Sequence, residues 1–232
     1  MALDTKSITL LSFDCYGTLI DWEQGIADAI ADLCDRHGVI CGRDQILELY
    51  GRCEAAEESS VYRPYREILR SVSRRMANEF GIQPTKAEHL LLENSLANWQ
   101  PFDDTVEALK KLKSKYRLAI ISNIDNDLFE GSAKQLQVPF DFVITAAQVK
   151  AYKPSITVFE QAQARMGIKK ANWLHVAQSK FHDIAPTNRI GLQSVWINRR
   201  HSQPGDGATP ESPAVPTLEL PDLASLAALL AG

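Results

Sequence analysis

The stretch that most constrains this chain is residues 8–20, ITLLSFDCYGTLI. Its first half is an apolar run with β-branched residues, the pattern of a strand buried within a parallel sheet. The run ends at a carboxylate, Asp14, and turns at Gly17, a residue free to take backbone angles that a Cβ resists. In open α/β sheets the crevice beyond the carboxyl ends of the strands is where ligands bind. An Asp at that address is either a turn-former, a role that suits Asp well, or a reactive group. The remainder of the chain decides between them.

Residues 22–37 place Ile26, Ala29, Ile30 and Leu33 at helical spacing, and Gly38 ends the pattern. Residues 43–59 follow with Ile46, Leu47, Leu49, Tyr50 and Cys53, and residues 62–80 and 85–98 read the same way, stopped by Gly81 and Pro101. No strand pattern interrupts residues 21–100. Eighty helical residues are too many for an ordinary connection, so this segment is expected to form a cap domain (21–100) inserted into a core made of residues 1–20 and 101–232. From residue 104 onward, helices (105–115, 126–137, 157–166, 182–190) alternate with strands (117–122, 140–145, 173–177, 194–198). Together with the first strand this predicts an α/β fold: a doubly wound, Rossmann-like parallel sheet of five strands with helices on both faces. Residues 201–221, with five prolines and two glycines, read as an exposed loop, and 223–230 as a short closing helix.

Asp14-Cys15-Tyr16-Gly17-Thr18-Leu19 resembles the first motif of the haloacid dehalogenase superfamily, D-x-x-G-T-[LV]. Three further pieces stand in the same order: Ser122-Asn123 after a strand, Lys153-Pro154 before a helix, and Asp183 after another strand. The resemblance spans residues 8 to about 197. It implies Asp14 as nucleophile, a role open to carboxylates in covalent catalysis, with a helical cap inserted after the first motif. Thr18 is suited to holding the Asp14 rotamer. Lys153 is expected to keep Asp14 ionised, since a nearby cation lowers a carboxylate pKa, and Asp183 to orient or deprotonate the hydrolytic water or to pair with Lys153. Ser122 and Asn123 offer a hydroxyl and an amide for a substrate carboxylate, or else cap the helix that follows.

Tyr16 is the informative departure. Superfamily phosphatases carry a second Asp at that position to protonate a departing alkoxide, a strong base that benefits from a general acid. A halide leaves without a proton, and an aromatic residue there resembles the L-2-haloacid dehalogenases. Phosphatases of the superfamily also hold Mg²⁺ with an acidic cluster, whereas the matching stretch here, residues 176–183 (VAQSKFHD), keeps only Asp183. Mg²⁺ prefers octahedral oxygen ligands, so no metal and no other cofactor is expected. Gln178 and Lys180 stand where the dehalogenases carry Ser and Asn. The cap arginine that binds the substrate carboxylate has Arg52 as its nearest counterpart, followed by Arg63 and Arg66, and Trp22 is a candidate pocket wall. The resemblance therefore implies a metal-independent 2-haloacid dehalogenase working through an aspartyl ester. Its alternatives are a ring-opening hydrolase of a strained cyclic amino acid, of the azetidine-2-carboxylate type, whose amine leaves already protonated, and a Mg²⁺-dependent phosphatase.

The net charge of −4 gives no footprint for a nucleic-acid partner. The four cysteines show no metal-ligand spacing, which suggests free thiols in a reducing compartment. No apolar run approaches the ~20 residues that span a bilayer, and the N-terminus lacks the layout of a signal peptide. A cytoplasmic protein is expected, acting on a small carboxylate, without a membrane or nucleic-acid partner and with room for a homodimer.

Overall fold

The computed structural model describes residues 3–59, 61–201 and 207–232. Its sheet has six parallel strands in the order β3-β2-β1-β4-β5-β6: β1 (Leu10–Phe13), β2 (Arg117–Ser122), β3 (Phe142–Thr145), β4 (Trp173–Ala177), β5 (Ser194–Ile197) and β6 (Leu218–Leu220). The chain runs outward from β1 in both directions, so β1 lies at the topological switch point, with β2 and β4 as its neighbours. All four β1 residues are buried. Leu11 and Phe13 pack into the larger apolar cluster, and Leu10 packs on the other face against Trp173 and Phe159. Ser12 shares the Leu10 face by strand alternation and stands opposite His175 across the β1–β4 register.

The expectation of five strands falls short by one. The sixth, β6, pairs with β5 through Val195 and Leu218, Trp196 and Glu219, and Ile197 and Leu220. It has three residues, partly exposed at a sheet edge and enclosed by Pro216 and Pro221, too short for an alternating pattern to register. The loop expected over 201–221 thus contains a strand. Residues 202–206 of that stretch lie outside the described residues.

The helical segment after β1 is present: α1 (Trp22–Arg36), α2 (Arg43–Glu58), α3 (Tyr65–Glu79) and α4 (Leu91–Ser95). Asp21 caps α1 by accepting from Gln24 N–H. The chain leaves the sheet and returns to it at one place, where Ile20 pairs with Pro101 and Asp21 N–H donates to Gln100 O at 2.8 Å. The single helix expected over 85–98 is broken instead, with α4 flanked by 3₁₀ turns at Glu88–Leu90 and Leu96–Asn98. A Thr85–Glu88 capping box starts this segment. Its end folds back so that the Trp99 ring lies on Gly25 of α1.

The core helices are α5 (Thr105–Lys113), α6 (Asn126–Leu136), α7 (Ala146–Val149), α8 (Ile156–Met166), α9 (Ala185–Ile190) and α10 (Leu223–Ala231). The helix expected over 182–190 begins with a wider π-turn, Lys180–Ile184, before it narrows to α9. This turn brings Asp183 and His182 to the end of β4. Among the described residues no helix is long and apolar enough to cross a membrane.

The contact between Gly25 and Trp99 gives a direct test of how the insert is packed. A Cβ on Gly25 would lie 2.2 Å from Trp99 Cδ1. Gly25→Ala is therefore expected to destabilise the protein by about 1–3 kcal/mol through overpacking, against the ~1 kcal/mol that Ala gains over Gly in a free helix. Urea unfolding measures the difference, and a stabilised variant would contradict the packing.

Candidate active site

The crevice at the ends of β1, β2 and β4 is a small cavity, with about 40 Å³ open to the centres of water-sized molecules. Asp14 is its focus. The Asp14 carboxylate accepts from Lys153 Nζ on Oδ1 and from Thr18 Oγ1 on Oδ2, both at 2.8 Å. Thr18 is fully buried beneath Asp14 and accepts from Gln178 N–H at 2.9 Å. The hydroxyl thereby ties the β1 loop to the β4 loop. Gly17 makes the turn possible with φ of +88°, a region that L side chains avoid.

Lys153, only 2% exposed, spends its whole ammonium inside this crevice. It donates to Asp14 Oδ1, to Asp183 Oδ1 at 2.7 Å and to Ile121 O at 3.1 Å. Asn123 positions it by binding both sides of its backbone: Lys153 N–H donates to Asn123 Oδ1 at 2.8 Å, and Asn123 Nδ2 donates to Lys153 O at 3.1 Å. Asp183 Oδ1 also meets His175 Nε2 at 2.8 Å, while Oδ2 is buried without a partner. Behind His175 the chain of contacts continues through Ser12 Oγ (2.7 Å from Nδ1) to Trp173 Nε1, which donates to Ser12 at 2.7 Å. With Ser12 donating to Nδ1 and Nε2–H donating to Asp183, every donor in this buried line is used.

Two carboxylates share one lysine, and the electrostatics divide unequally. Burial raises the Asp14 pKa, and the charge of Asp183 adds to it, against the lowering effects of Lys153 and Thr18. Burial also pushes Asp183 up, but Lys153 and His175 outweigh it and hold that carboxyl below its ordinary value. Lys153 is desolvated as well, yet the two carboxylates raise its pKa. Lys153 lowers the Asp14 pKa as expected, but burial and Asp183 outweigh it and the net shift is upward.

Of the residues singled out from the sequence, Asp14, Tyr16, Trp22, Ser122, Asn123, Lys153, Gln178 and Asp183 line this one cavity, with Thr18 directly below. Tyr16 presents no free hydroxyl, since its OH is bonded to Ser132 Oγ on α6 at 2.9 Å. The Asn123 amide is occupied by the Lys153 backbone and by Glu58. Ser122 Oγ is buried and unpartnered. Arg52 is a correction. It is exposed on α2 and lines a different cavity of about 700 Å³, together with Arg200 and Glu211. At its position on α2, one residue short of Cys53 and two short of Glu54, it points off the face turned to the crevice. Arg63 pairs with Glu57, and Arg66 with Asp125, Asp127 and Glu93. Lys180 lies over the Trp196 ring at 3.8 Å rather than in the crevice.

The structure adds residues that the sequence reading passed over: Glu54, Glu58, Tyr65, Ser179, His182 and Thr209 also line the cavity. Glu54 accepts from Tyr50 OH at 2.7 Å and Tyr65 OH at 2.5 Å. Burial raises its pKa to about 7, against these two hydroxyls. Burial, reinforced by the charge of Glu54, puts Glu58 well above the carboxylate range. His182 is lowered to about 4 by burial. A signal was available, because Tyr50, Glu54 and Glu58 recur at i, i+4 spacing in continuation of the apolar face of α2. An acidic residue on a buried helix face is uncommon unless it is paired or functional.

Fold and site together define an α/β enzyme with a buried carboxylate at the switch point of a parallel sheet. Residues 11–197 match the family model described as haloacid dehalogenase-like hydrolase, and the chain belongs to that family. The chain is 26% identical over 230 residues to an (S)-2-haloacid dehalogenase of Pseudomonas fluorescens, covering 95% of this chain and 96% of that one. It is 24% identical over 205 residues to haloacetate dehalogenase H-2 of Moraxella sp. (strain B), covering 84% and 87%. Among solved structures, the fold matches the L-2-haloacid dehalogenase of Xanthobacter autotrophicus with chloropropionic acid covalently bound. That match has a TM-score of 0.80 at 20% identity, over 97% of this chain and 99% of the other. The L-2-haloacid dehalogenase PA0810 matches with a TM-score of 0.80 at 22% identity over the same shares.

The shared lysine makes a prediction about stability. The folded-state pKa of Asp14 is raised, so its ionised form is penalised by folding at neutral pH, and removing the charge relieves that penalty. Asp14→Asn is expected to melt at or above the wild-type temperature at pH 7. Lys153→Met leaves two buried carboxylates without a cation and is expected to cost about 3–5 kcal/mol. Thermal and urea unfolding of the two variants check both signs, and a destabilised Asp14→Asn beside a neutral Lys153→Met would contradict the charge assignment.

Proposed function

We propose that this chain hydrolyses a bond between a saturated carbon and a leaving group through an ester formed on Asp14, the reaction class of the 2-haloacid dehalogenases. The observation that carries the reading is the setting of Asp14: a buried carboxylate, gripped on both oxygens by Lys153 and Thr18 and faced by a tyrosine whose hydroxyl is already engaged. An Asp14 oxygen attacks the carbon from the side opposite the leaving group. The new C–O bond forms as the C–X bond breaks, and X departs with the electron pair. No proton donor is required when X is a halide. Water, relieved of a proton at the free Oδ2 of Asp183, then attacks Cγ of the Asp14 ester. The alcohol is released and the carboxylate regenerated, giving R–X + H₂O → R–OH + H⁺ + X⁻. Lys153 remains beside the carboxylate throughout and offsets charge as it develops.

The donors present do not fit the Mg²⁺ of a phosphatase. The Lys153 ammonium bridges the two carboxylates that such an ion would share, and no cluster of His, Cys, Asp and Glu among the described residues is spaced to hold a metal. We read residues 21–100 as a cap over a core of 1–20 and 101–232. Support comes from the contacts of its α2–α3 end with the strand ends: Tyr65 N–H donates to Asp125 Oδ1 at 3.0 Å, and Tyr152 OH donates to Arg63 O at 2.7 Å. A second reading, ring opening of a strained cyclic amino acid such as azetidine-2-carboxylate, uses the same nucleophile. It is favoured by the two glutamates in the cavity and the lack of an arginine among its lining residues.

A panel of 2-haloacids, phosphate esters and cyclic amino acids, each with and without EDTA, tests the reaction class. Turnover of haloacids or cyclic amino acids, unchanged by EDTA, is expected, whereas phosphatase activity lost in EDTA and restored by Mg²⁺ would overturn the reading. Asp14→Asn should lower kcat by a factor on the order of 10⁴ or more, with mass spectrometry excluding slow deamidation. Near-wild-type turnover in that variant would rule out the ester.

A further inference from the structure

The charges around Asp14 are out of balance for a substrate that is only an anion. Four carboxyl groups line the cavity, those of Asp14, Glu54, Glu58 and Asp183, against the single ammonium of Lys153, and burial raises Glu54 to about 7 and Glu58 well above the carboxylate range, so both glutamates take up full charge only beside a cation. That ammonium is already spent on Asp14, Asp183 and a backbone carbonyl. No lysine or arginine among the described residues forms an ion pair with Glu54 or Glu58. Glu54 is met by two tyrosine hydroxyls. Glu58, its side chain 7% exposed, is met by the Asn123 amide at 3.2 and 3.3 Å and by His182 Nε2 at 3.7 Å. A buried carboxylate without a cation is costly, so the pair is expected to have a function. A second, independent feature points into the same space: Ser122 Oγ, on a residue 2% exposed, lines the cavity with no hydrogen-bond partner.

We infer that the substrate of this site carries a protonated amine, which Glu54 and Glu58 receive from the cap side while Asp14 faces the reacting carbon. An ammonium donates up to three hydrogen bonds, and the two glutamates and Ser122 Oγ are the acceptors open to it. The aromatic rings of Trp22, Tyr16 and Tyr65 complete the lining, and aromatic faces attract cations. With Arg52 outside the crevice, a carboxylate on the substrate has no guanidinium to meet it there. The cavity is small, so the amine and the reacting carbon belong to a compact molecule. This inference takes from the preceding reading only that Asp14 attacks the substrate.

The protonation of the glutamates follows from what surrounds them. Glu54 is faced by Tyr50 and Glu58 on its own helix, by Tyr65 from α3 and by Asp14 from the end of β1. Glu58 is faced by Glu54, by Lys153 and Asn123 from the core, and by His182 from the π-turn. With Glu54 raised to about 7 and Glu58 held higher by burial and by Glu54, an ammonium binds with release of protons at lower pH and more tightly as pH rises through this region.

The test uses binding, so it does not depend on turnover. Propylammonium and propionate, of similar size and opposite charge, are titrated into the intact wild-type chain by calorimetry on both sides of pH 7. Propylammonium is expected to bind more tightly than propionate, and more tightly above pH 7 than below it. Glu58→Gln should weaken the amine by about tenfold or more, with its melting curve showing that the fold is kept. Glu54→Gln should do the same, and Glu58→Gln carries the test alone if the Glu54 variant does not fold. Propionate binding as tightly as propylammonium, no binding of the amine, or an amine affinity indifferent to pH and to Glu58→Gln would each overturn the inference. Ester chemistry observed together with tight propionate binding would leave the reaction class standing and remove the amine. Amine binding without an ester on Asp14 would do the reverse.

Discussion

The ammonium of Lys153 lies between two carboxylates, 2.8 Å from Asp14 and 2.7 Å from Asp183, and most of the crevice is arranged around it. Its three donors are all occupied, by Asp14 just after β1, by Asp183 in the π-turn after β4 and by the carbonyl of Ile121 on β2. One buried charge therefore holds three strand ends together. A buried ion network of this kind contributes little net stability, because desolvation consumes the Coulombic gain, and it is damaging when broken. Its value lies in geometry. Asp183 is held below its ordinary pKa with one oxygen free, while burial leaves Asp14 as the less comfortable of the two carboxylates, a setting that suits the proposed ester.

The parallel sheet makes this possible. Because β1 is the switch strand, loops after β1, β2 and β4 converge on one point, and each supplies part of the network. The polar line Trp173–Ser12–His175–Asp183 passes along the inner face of β1 and β4. Asp183 is thus anchored from below the sheet edge as well as from the crevice. The helical insert closes the other side with the buried face of α2, which is apolar toward α1 and acidic toward Asp14. Asp14, Lys153 and Asp183 from the sheet side and Glu54, Glu58 and Tyr65 from the insert meet in one small volume.

Much of this was legible in the sequence, for identifiable reasons. The β1 run, the helical insert and the strand–helix alternation have long, regular apolar periods, and periodicity survives any tertiary context. Asp14, Lys153 and Asp183 stand next to strand ends or a turn, where position in sequence nearly dictates position in the crevice. What could not be read depends on distance in space. The edge strand β6 has three residues and no period. Arg52 is within two residues of Glu54, yet helical geometry sends it to another cavity. Glu54 and Glu58 continue the apolar face of α2 at i, i+4 spacing, but only the packing of α3 and the core shows that they are buried. The sign of the Asp14 shift depends first on burial and then on a second carboxylate, Asp183, facing the same lysine, neither of which is visible before the crevice forms.

The central claim is that Asp14 becomes covalently bonded to the substrate carbon. It is tested most directly by a single turnover with enzyme in excess in H₂¹⁸O, using whichever compound of the substrate panel reacts fastest. If the ester forms, the product oxygen comes from the Asp14 carboxylate and water enters only at its carbonyl carbon. The account predicts unlabelled product and ¹⁸O in the peptide that contains Asp14. Label in the product of the first turnover, with the Asp14 peptide unchanged, would mean that water attacks the substrate directly and would contradict it.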